Sequence, residues 1–437
     1  MTYLSLIGTA LLLGVYSTLS WRKLGYSLTS PAGGCLFLWS LIWLTHYLDF
    51  LEFYPVNDRA LLYSFLPVIG IFAGEEIGKR LGASRRSRVF AWPRLRRILL
   101  GFSVMGVLFA LASFISTWII FGNPLEAGVG ATIKAARSEA GIGILSGSPL
   151  YVLAKYMLIS KGFLYASLFS LVGVWFIDRK TAIWMAGFCM LAAVLYDLSW
   201  GSRTTILDVL IIIVIFFAFG GSGIRIGRRA IVWASALVLG GGLLLGAQAI
   251  TESTRPDRVG EVQGVEVPYA IEQFLVYYTS PLVLFDQTID NNETRTLGLM
   301  SSGGILSLMS ITRLYRNSNL TVYDVMYDWE IDNPNYSNGG YNRGNLYSWL
   351  RYFYTDFGVA GLFIVPLIIG MVAGKMMRST ALSSRYEFAG LTILVVCFYI
   401  VARSPIIFSL RDDFFVFAVC LLVGAVLIST KGKMTIR

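Results

Sequence analysis

The stretch Asn338–Gly361, NGGYNRGNLYSWLRYFYTDFGVAG, ends the longest polar segment of the chain and runs into an apolar one. It carries Arg343 and Arg351, the carboxylate of Asp356 and a run of aromatics from Tyr347 to Phe357. Polar, arginine-bearing sequence that passes directly into a long apolar run reads as a loop meeting a membrane. The rest of the chain is then scaffold that holds this loop at one membrane face.

The composition agrees. Of 437 residues, 56% are hydrophobic and 14% charged, against about 25% charged in soluble domains. Apolar runs near membrane length recur at 3–20, 31–48, 60–78, 98–121, 160–177, 181–200, 204–220, 230–250, 357–375, 388–403 and 413–430. The sequence therefore predicts an all-α polytopic membrane protein with about eleven transmembrane helices. The net charge of +10 does not point to nucleic acid, because more than half of the 36 Lys and Arg sit in alternate short connections. These are Arg22–Lys23, Lys79–Arg97, Arg179–Lys180, Arg225–Arg229, Lys375–Arg385 and Lys431–Arg437. By the positive-inside rule they are cytoplasmic, which puts the N-terminus outside and the C-terminus inside. The first apolar run lacks a basic flank before it and reads as a retained helix rather than a signal peptide. Cys35, Cys189, Cys397 and Cys420 all fall within apolar runs, so no disulfide framework is expected.

Two outer connections are long. Residues 122–159 are rich in Gly and Ala, with a short interfacial helix expected at Ala131–Ala140. Residues 251–356 form the large outer loop of the second half. Within it, PYAIEQFLVYYTSPLVLFDQTI has near-helical apolar spacing and reads as a helix against the membrane face. Gly240–Gly242 and Gly246 read as a tight helix contact. The basic residues left on this side are mostly arginines, whose planar fork suits phosphate and carboxylate.

Several mechanisms lack their motifs. There is no phosphate-binding G-x-x-x-x-G-K-[ST] loop, no H-E-x-x-H and no D-x-D, and His46 is the single histidine. The candidates that remain are arginines and carboxylates near span ends. Arg203, in DLSWGSRTTILDVL, reads either as an anion ligand or as the partner of Asp197 or Asp208. Arg403 and Arg411 flank a Pro-broken re-entry between the last two spans, with Arg411 beside Asp412 and Asp413. Arg255 and Arg258 bracket Pro256 and Asp257. Asp356 reads as a general base or as the cap of the helix that follows. Tyr347, Trp349 and Tyr352 suit an interface belt and a sugar platform alike.

Four features together resemble the bacterial oligosaccharide repeat-unit polymerases, the O-antigen polymerases of the Wzy type. They are GSRTTIL opening an outward-facing span, the large outer loop, LYSWLRYFYTDFGVAGLFIVP running into a Gly-rich span, and VAR…SLRDDFF before the last one. The resemblance implies a multi-pass enzyme of the bacterial inner membrane that serves lipopolysaccharide or related polysaccharide biosynthesis. Such an enzyme takes a growing glycan from undecaprenyl diphosphate and transfers it to a lipid-linked repeat unit at the periplasmic face. It uses no metal and no other cofactor, and it works with a chain-length regulator protein. Carried onto this chain, the resemblance implies that Asp356, Arg403 and Arg411 act in catalysis. It implies that Arg203, Arg255, Arg258, Arg343 and Arg351 hold the diphosphate, and that Tyr347, Trp349 and Tyr352 contact sugar. Two rival functions share part of this pattern: an O-antigen ligase, which usually offers a histidine in the outer loop where this chain has none, and a lipid-linked oligosaccharide flippase, whose paired halves are not visible here.

Overall fold

Apolar runs of this length leave the backbone no water to bond, so each must close its own hydrogen bonds as a helix. The computed structural model describes residues 2–23, 30–48, 56–81, 91–121, 149–200, 205–206, 208–209, 211–212, 281–289, 301–302, 305, 348–382, 388–404 and 413–429, and all its regular structure is helical. The named helices are α1 (Thr2–Lys23), α2 (Pro31–Leu48), α3 (Asp58–Arg80), α4 (Trp92–Phe121), α5 (Pro149–Ile177), α6 (Arg179–Trp200), α7 (Trp349–Phe357), α8 (Val359–Leu382), α9 (Phe388–Arg403) and α10 (Asp413–Ser429). Among the described residues, five helical segments are long and apolar enough to cross a membrane: Asp58–Arg80, Trp92–Ser116, Ile159–Ile177, Arg179–Ser199 and Val359–Thr380. Large apolar side chains such as Leu12, Ile183, Trp184 and Ile428 face outward, as lipid contact requires.

The expected runs at 204–220 and 230–250, the interfacial helix at Ala131–Ala140 and the glycines 240–242 and 246 lie wholly or mostly outside the described residues. Two boundaries differ from the sequence reading. Helix α5 begins at Pro149, inside the segment read as loop. The segment read as the large outer loop up to residue 356 contains all but the last residue of α7, while its helical residues 281–289 fall within the stretch read as a helix.

The chain forms two compact units, one of Met1–Arg85 with Gly260–Asp413, the other of Arg86–Val259 with Phe414–Arg437. In the first, α3 and α8 make the closest pair. A Cβ built on Gly70 would lie 2.6 Å from the carbonyl oxygen of Phe363. Gly74 faces Leu367 and Met371, Gly78 faces Met371 and Lys375, and from the other side Gly370 and Gly374 face the backbone of Ile71 and Glu75. Both helices advance by four residues at each contact, so they run parallel, backbone on backbone, with glycine at every crossing point.

That contact turns the side chain of Glu75 toward α2. Its Oε2 accepts the N–H of Ala32 at 3.0 Å, at the N-terminus of α2, where the helix dipole favours negative charge. Its Oε1 pairs with Lys79 Nζ at 2.8 Å, and Lys79 also reaches Glu76 at 2.8 Å. Arg378 of α8 donates to the carbonyl of Lys79. The four free cysteines form no bridge.

In the second unit α5 packs against α4, α6 and α10. A Cβ on Gly162 would meet the ring of Phe417 at 2.6 Å and the carbonyl of Phe414 at 2.9 Å. Phe163 stacks on Phe109 at 5.6 Å and meets Phe417 edge-on at 5.4 Å. The turn from α5 to α6 is capped by Asp178, which accepts the N–H and the hydroxyl of Thr181 at 3.1 and 2.7 Å, with Arg96 at 3.6 Å.

Two predictions follow from this packing. Gly74→Ala and Gly370→Ala should each cost about 1–3 kcal/mol through overpacking. Gly187→Ala, whose Cβ meets no atom within 4 Å, should be neutral or stabilising. Thermal unfolding of the detergent-purified protein reads both. Asp178 sits in the turn between two spans, and its bonds from Thr181, with Arg96 nearby, hold its carboxyl below the usual carboxylate range. Its contribution is therefore complete at neutral pH and is lost as pH falls through that lowered value. Asp178→Ala should cost about 1 kcal/mol at pH 7. Asp178→Asn should cost less at pH 7 and should lack the acid-side loss, which an unfolding series in pH measures.

Candidate functional site

Helix α7 is built by its two ends. Ser348 holds the N-cap in extended backbone, φ −66° and ψ 167°. At the other end Gly358 takes φ 65° and donates its N–H to the carbonyl of Tyr354 at 2.7 Å. Only glycine adopts that backbone without strain. Gly361 then bonds Gly358 at 3.0 Å, and a Cβ on Gly361 would lie 2.7 Å from that of Phe357. The result is a tight reversal that lays α7 against the first turn of α8.

Nearly all of α7 is buried, polar side chains included. Arg351 is 1% exposed and Asp356 0%, beside Trp349, Tyr352 and Phe353. Tyr354 rests between Tyr63 of α3 at 6.1 Å and Phe285 at 5.7 Å. Asp356 Oδ2 accepts the N–H of Ser301 at 2.6 Å, and Asp286 accepts that of Asn57 at 2.9 Å. These two carboxylates fasten parts of residues 281–302 to the start of α3 and the end of α7. The N–H of Trp349 bonds the carbonyl of Ser404 at 3.0 Å. That bond brings the last turn of α9, with Arg403 only 5% exposed, to the beginning of α7.

Some of the residues singled out from the sequence are therefore near one another. Arg351, Asp356, Trp349 and Tyr352 share one short helix, and Arg403 lies at the next helix end. Arg203, Arg255, Arg258, Arg343, Arg411 and Tyr347 lie outside the described residues. Ser348 and Ser404 were not singled out from the sequence, although Ser348 precedes an apolar–aromatic run as a cap does. Their hydroxyls and the indole N–H of Trp349 are buried and make no hydrogen bond among the described residues. His46 lies half-buried in the last turn of α2.

The second unit has its own buried polar cluster. Lys161 Nζ donates to Thr205 Oγ1 at 3.3 Å and lies 5.3 Å from the ring centre of Tyr196. Tyr196 bonds Ser160 at 2.9 Å. Asp197 accepts the N–H groups of Thr205 and Ile206 at 3.2 and 2.8 Å, and Tyr165 donates to Asp208. Both carboxylates weighed as partners of Arg203 thus have other bonds. Among the described residues no group of three or more His, Cys, Asp or Glu has the grouping of a metal site.

No family model, no curated protein and no solved structure matches this chain.

The reversal at Gly358 yields a direct test. Gly358→Ala should lower stability by about 1–3 kcal/mol, because φ 65° with ψ −155° lies outside what an L side chain accepts. The same substitution at Gly424, which has no neighbour within 4 Å of its Cβ, should not. Detergent-phase unfolding midpoints compare the two.

Proposed function

We propose that this chain is a glycosyltransferase that polymerises undecaprenyl-diphosphate-linked oligosaccharide repeat units, at the periplasmic face of the bacterial inner membrane. The observation that carries the reading is the burial of Arg351 and Arg403 around the start of α7, with Asp356 on the same helix. Buried guanidinium is costly, and in a membrane protein it marks a place where charge is used. The parallel run of α3 and α8 is also what the alternating topology requires of two spans crossing outside to inside. With that orientation the end of the pair that carries Lys79 and Arg378 would be cytoplasmic, and the end where α7 meets Tyr63 periplasmic.

The reaction needs little more than positioning and charge. The acceptor hydroxyl oxygen attacks the anomeric carbon of the growing glycan, the bond from that carbon to the diphosphate breaks, and undecaprenyl diphosphate leaves with the electron pair. Its gain of charge is opposed by Arg351 and Arg403 in a site of low dielectric, where one such donor is worth about 10²–10³ in rate. Arg203, Arg255, Arg258, Arg343 and Arg411 are the further candidates for this clamp. On this reading Asp356, whose Oδ2 accepts the N–H of Ser301, is the candidate base for the acceptor proton. A chain-length regulator is the proposed protein partner.

The test is deletion of the gene in its host, with complementation, read on a gel of extracted polysaccharide. Deletion should collapse the ladder to core plus a single repeat unit. Loss of that single-repeat band as well would favour a ligase or flippase. Arg351→Lys and Arg403→Lys, expressed at normal levels, should restore the ladder poorly, since a point charge does not replace a planar fork. Asp356→Asn keeps an acceptor for Ser301 and removes the base. A full ladder from this variant would leave Asp356 with its anchoring role alone.

A further inference from the structure

The start of α7 holds more hydrogen-bond donors than the helix uses. As N-cap, Ser348 would ordinarily turn its hydroxyl to the first-turn N–H groups, yet it makes no such bond. The N–H of Trp349 is satisfied by Ser404, and that of Arg351 by the carbonyl of Ser348 at 3.2 Å. The side chains left over are the hydroxyls of Ser348 and Ser404, both on residues 0% exposed, and the indole N–H of Trp349. None has a hydrogen bond among the described residues. A buried donor left without an acceptor pays its desolvation with nothing in return. Three of them gathered at one helix N-terminus therefore describe a missing acceptor better than an accident of packing. The positive end of the α7 dipole adds to the same preference. Arg351, two residues beyond Trp349, and Arg403, beside Ser404, bring two buried guanidiniums to the same segments.

We propose that the N-terminus of α7 is a phosphoryl-binding cradle, in which Ser348 Oγ, Ser404 Oγ and Trp349 Nε1 donate to non-bridging oxygens of a diphosphate. This deepens the polymerase reading and rests on it for the identity of the diphosphate. The three neutral donors fix the orientation of the group, and the arginines carry its charge. A diphosphate presents acceptors only, which matches a set composed of donors. Headgroup and free diphosphate share this chemistry.

The test uses full-length protein in phosphatidylcholine nanodiscs, with undecaprenyl diphosphate and inorganic diphosphate as probes and glucuronate as competitor. Wild type should bind the lipid probe. Ser348→Ala or Ser404→Ala should weaken binding about tenfold, and the pair about a hundredfold. Ser348→Thr and Ser404→Thr, which keep the hydroxyl, should retain it. Trp349→Phe keeps the ring, removes the N–H and should also lose about tenfold, so the test stands if the paired alanine variant does not accumulate. Parallel losses for both probes identify the phosphoryl group itself as what is held, and losses for the lipid probe alone identify the membrane-borne headgroup. Unchanged binding in the alanine variants or in Trp349→Phe, equal losses in the threonine variants, or displacement by glucuronate as strong as by diphosphate would each overturn the cradle while leaving the polymerase reading to the ladder. No binding by wild type also overturns it, and a normal polymer ladder in the same host would show that the function survives without it.

Discussion

The parallel contact of α3 with α8 is the constraint from which the first unit follows. Apolar side chains gain little by meeting each other inside a bilayer, because lipid is as apolar as they are. Helices associate there through close backbone packing, and Gly70, Gly74 and Gly78 of α3 against the backbone of Phe363, Leu367 and Met371, with Gly370 and Gly374 of α8 against that of Ile71 and Glu75, give that packing along most of both helices. The contact fixes register as well as neighbourhood, since a one-residue slip would put side chains where no Cβ fits. It also dictates the fate of Glu75. With its backbone pressed against Gly374, its carboxylate points to α2 and becomes the cap of that helix and the partner of Lys79. A buried ion pair is a poor source of net stability, but breaking one is expensive. Glu75 therefore serves better as a device for placing the start of α2 than as a source of binding energy.

The other end of the same pair positions α7. Because α8 is held rigidly by α3, the reversal at Gly358 has a fixed base, and Tyr354 can wedge against Tyr63. A nine-residue helix has little stability of its own. This one is held by its turn, by Ser301 on Asp356 and by Ser404 on the N–H of Trp349. Burial of Arg351 then becomes tolerable, since the surrounding elements and not the arginine decide where the helix lies. Sites placed on elements supported in this way keep their geometry better than sites on free loops.

Hydropathy made the long helices legible, because span length and apolar content are set by the membrane and not by neighbours. The helix contact was not legible. Gly70, Gly74 and Gly78 lie in a stretch interrupted by Glu75 and Glu76, which reads as a polar helix end, and nothing local reveals that Gly370 and Gly374 are the partners. The apolar triple-glycine run at 240–242 was the more conspicuous signal. Residues 349–356 read as the end of the loop because the continuous apolar run begins only at Phe357. Only Gly358, with its positive φ, separates them from the span as a helix of their own. Arg351, Asp356 and Arg403 were legible as candidates from their chemistry. Ser348 and Ser404 were not, since a serine beside a helix is ordinarily its cap.

If α7 holds a diphosphate, its mixture of donors follows from what such a site must survive when it is empty. Each buried guanidinium without a counter-ion costs several kcal/mol in its desolvation alone, whereas a buried hydroxyl or indole N–H without an acceptor costs about 1–3 kcal/mol. A clamp built wholly of arginines would bind a diphosphate strongly, but it would destabilise the unoccupied protein and resist product release. Fewer cations set among neutral donors, on a helix whose dipole supplies further positive potential, reach the same complementarity at lower cost to the free state. On the polymerase reading this balance is functional. A polymerase of that kind must release undecaprenyl diphosphate after each transfer, and orientation by Ser348, Ser404 and Trp349 would favour the departing group in transit without holding it as a permanent counter-ion.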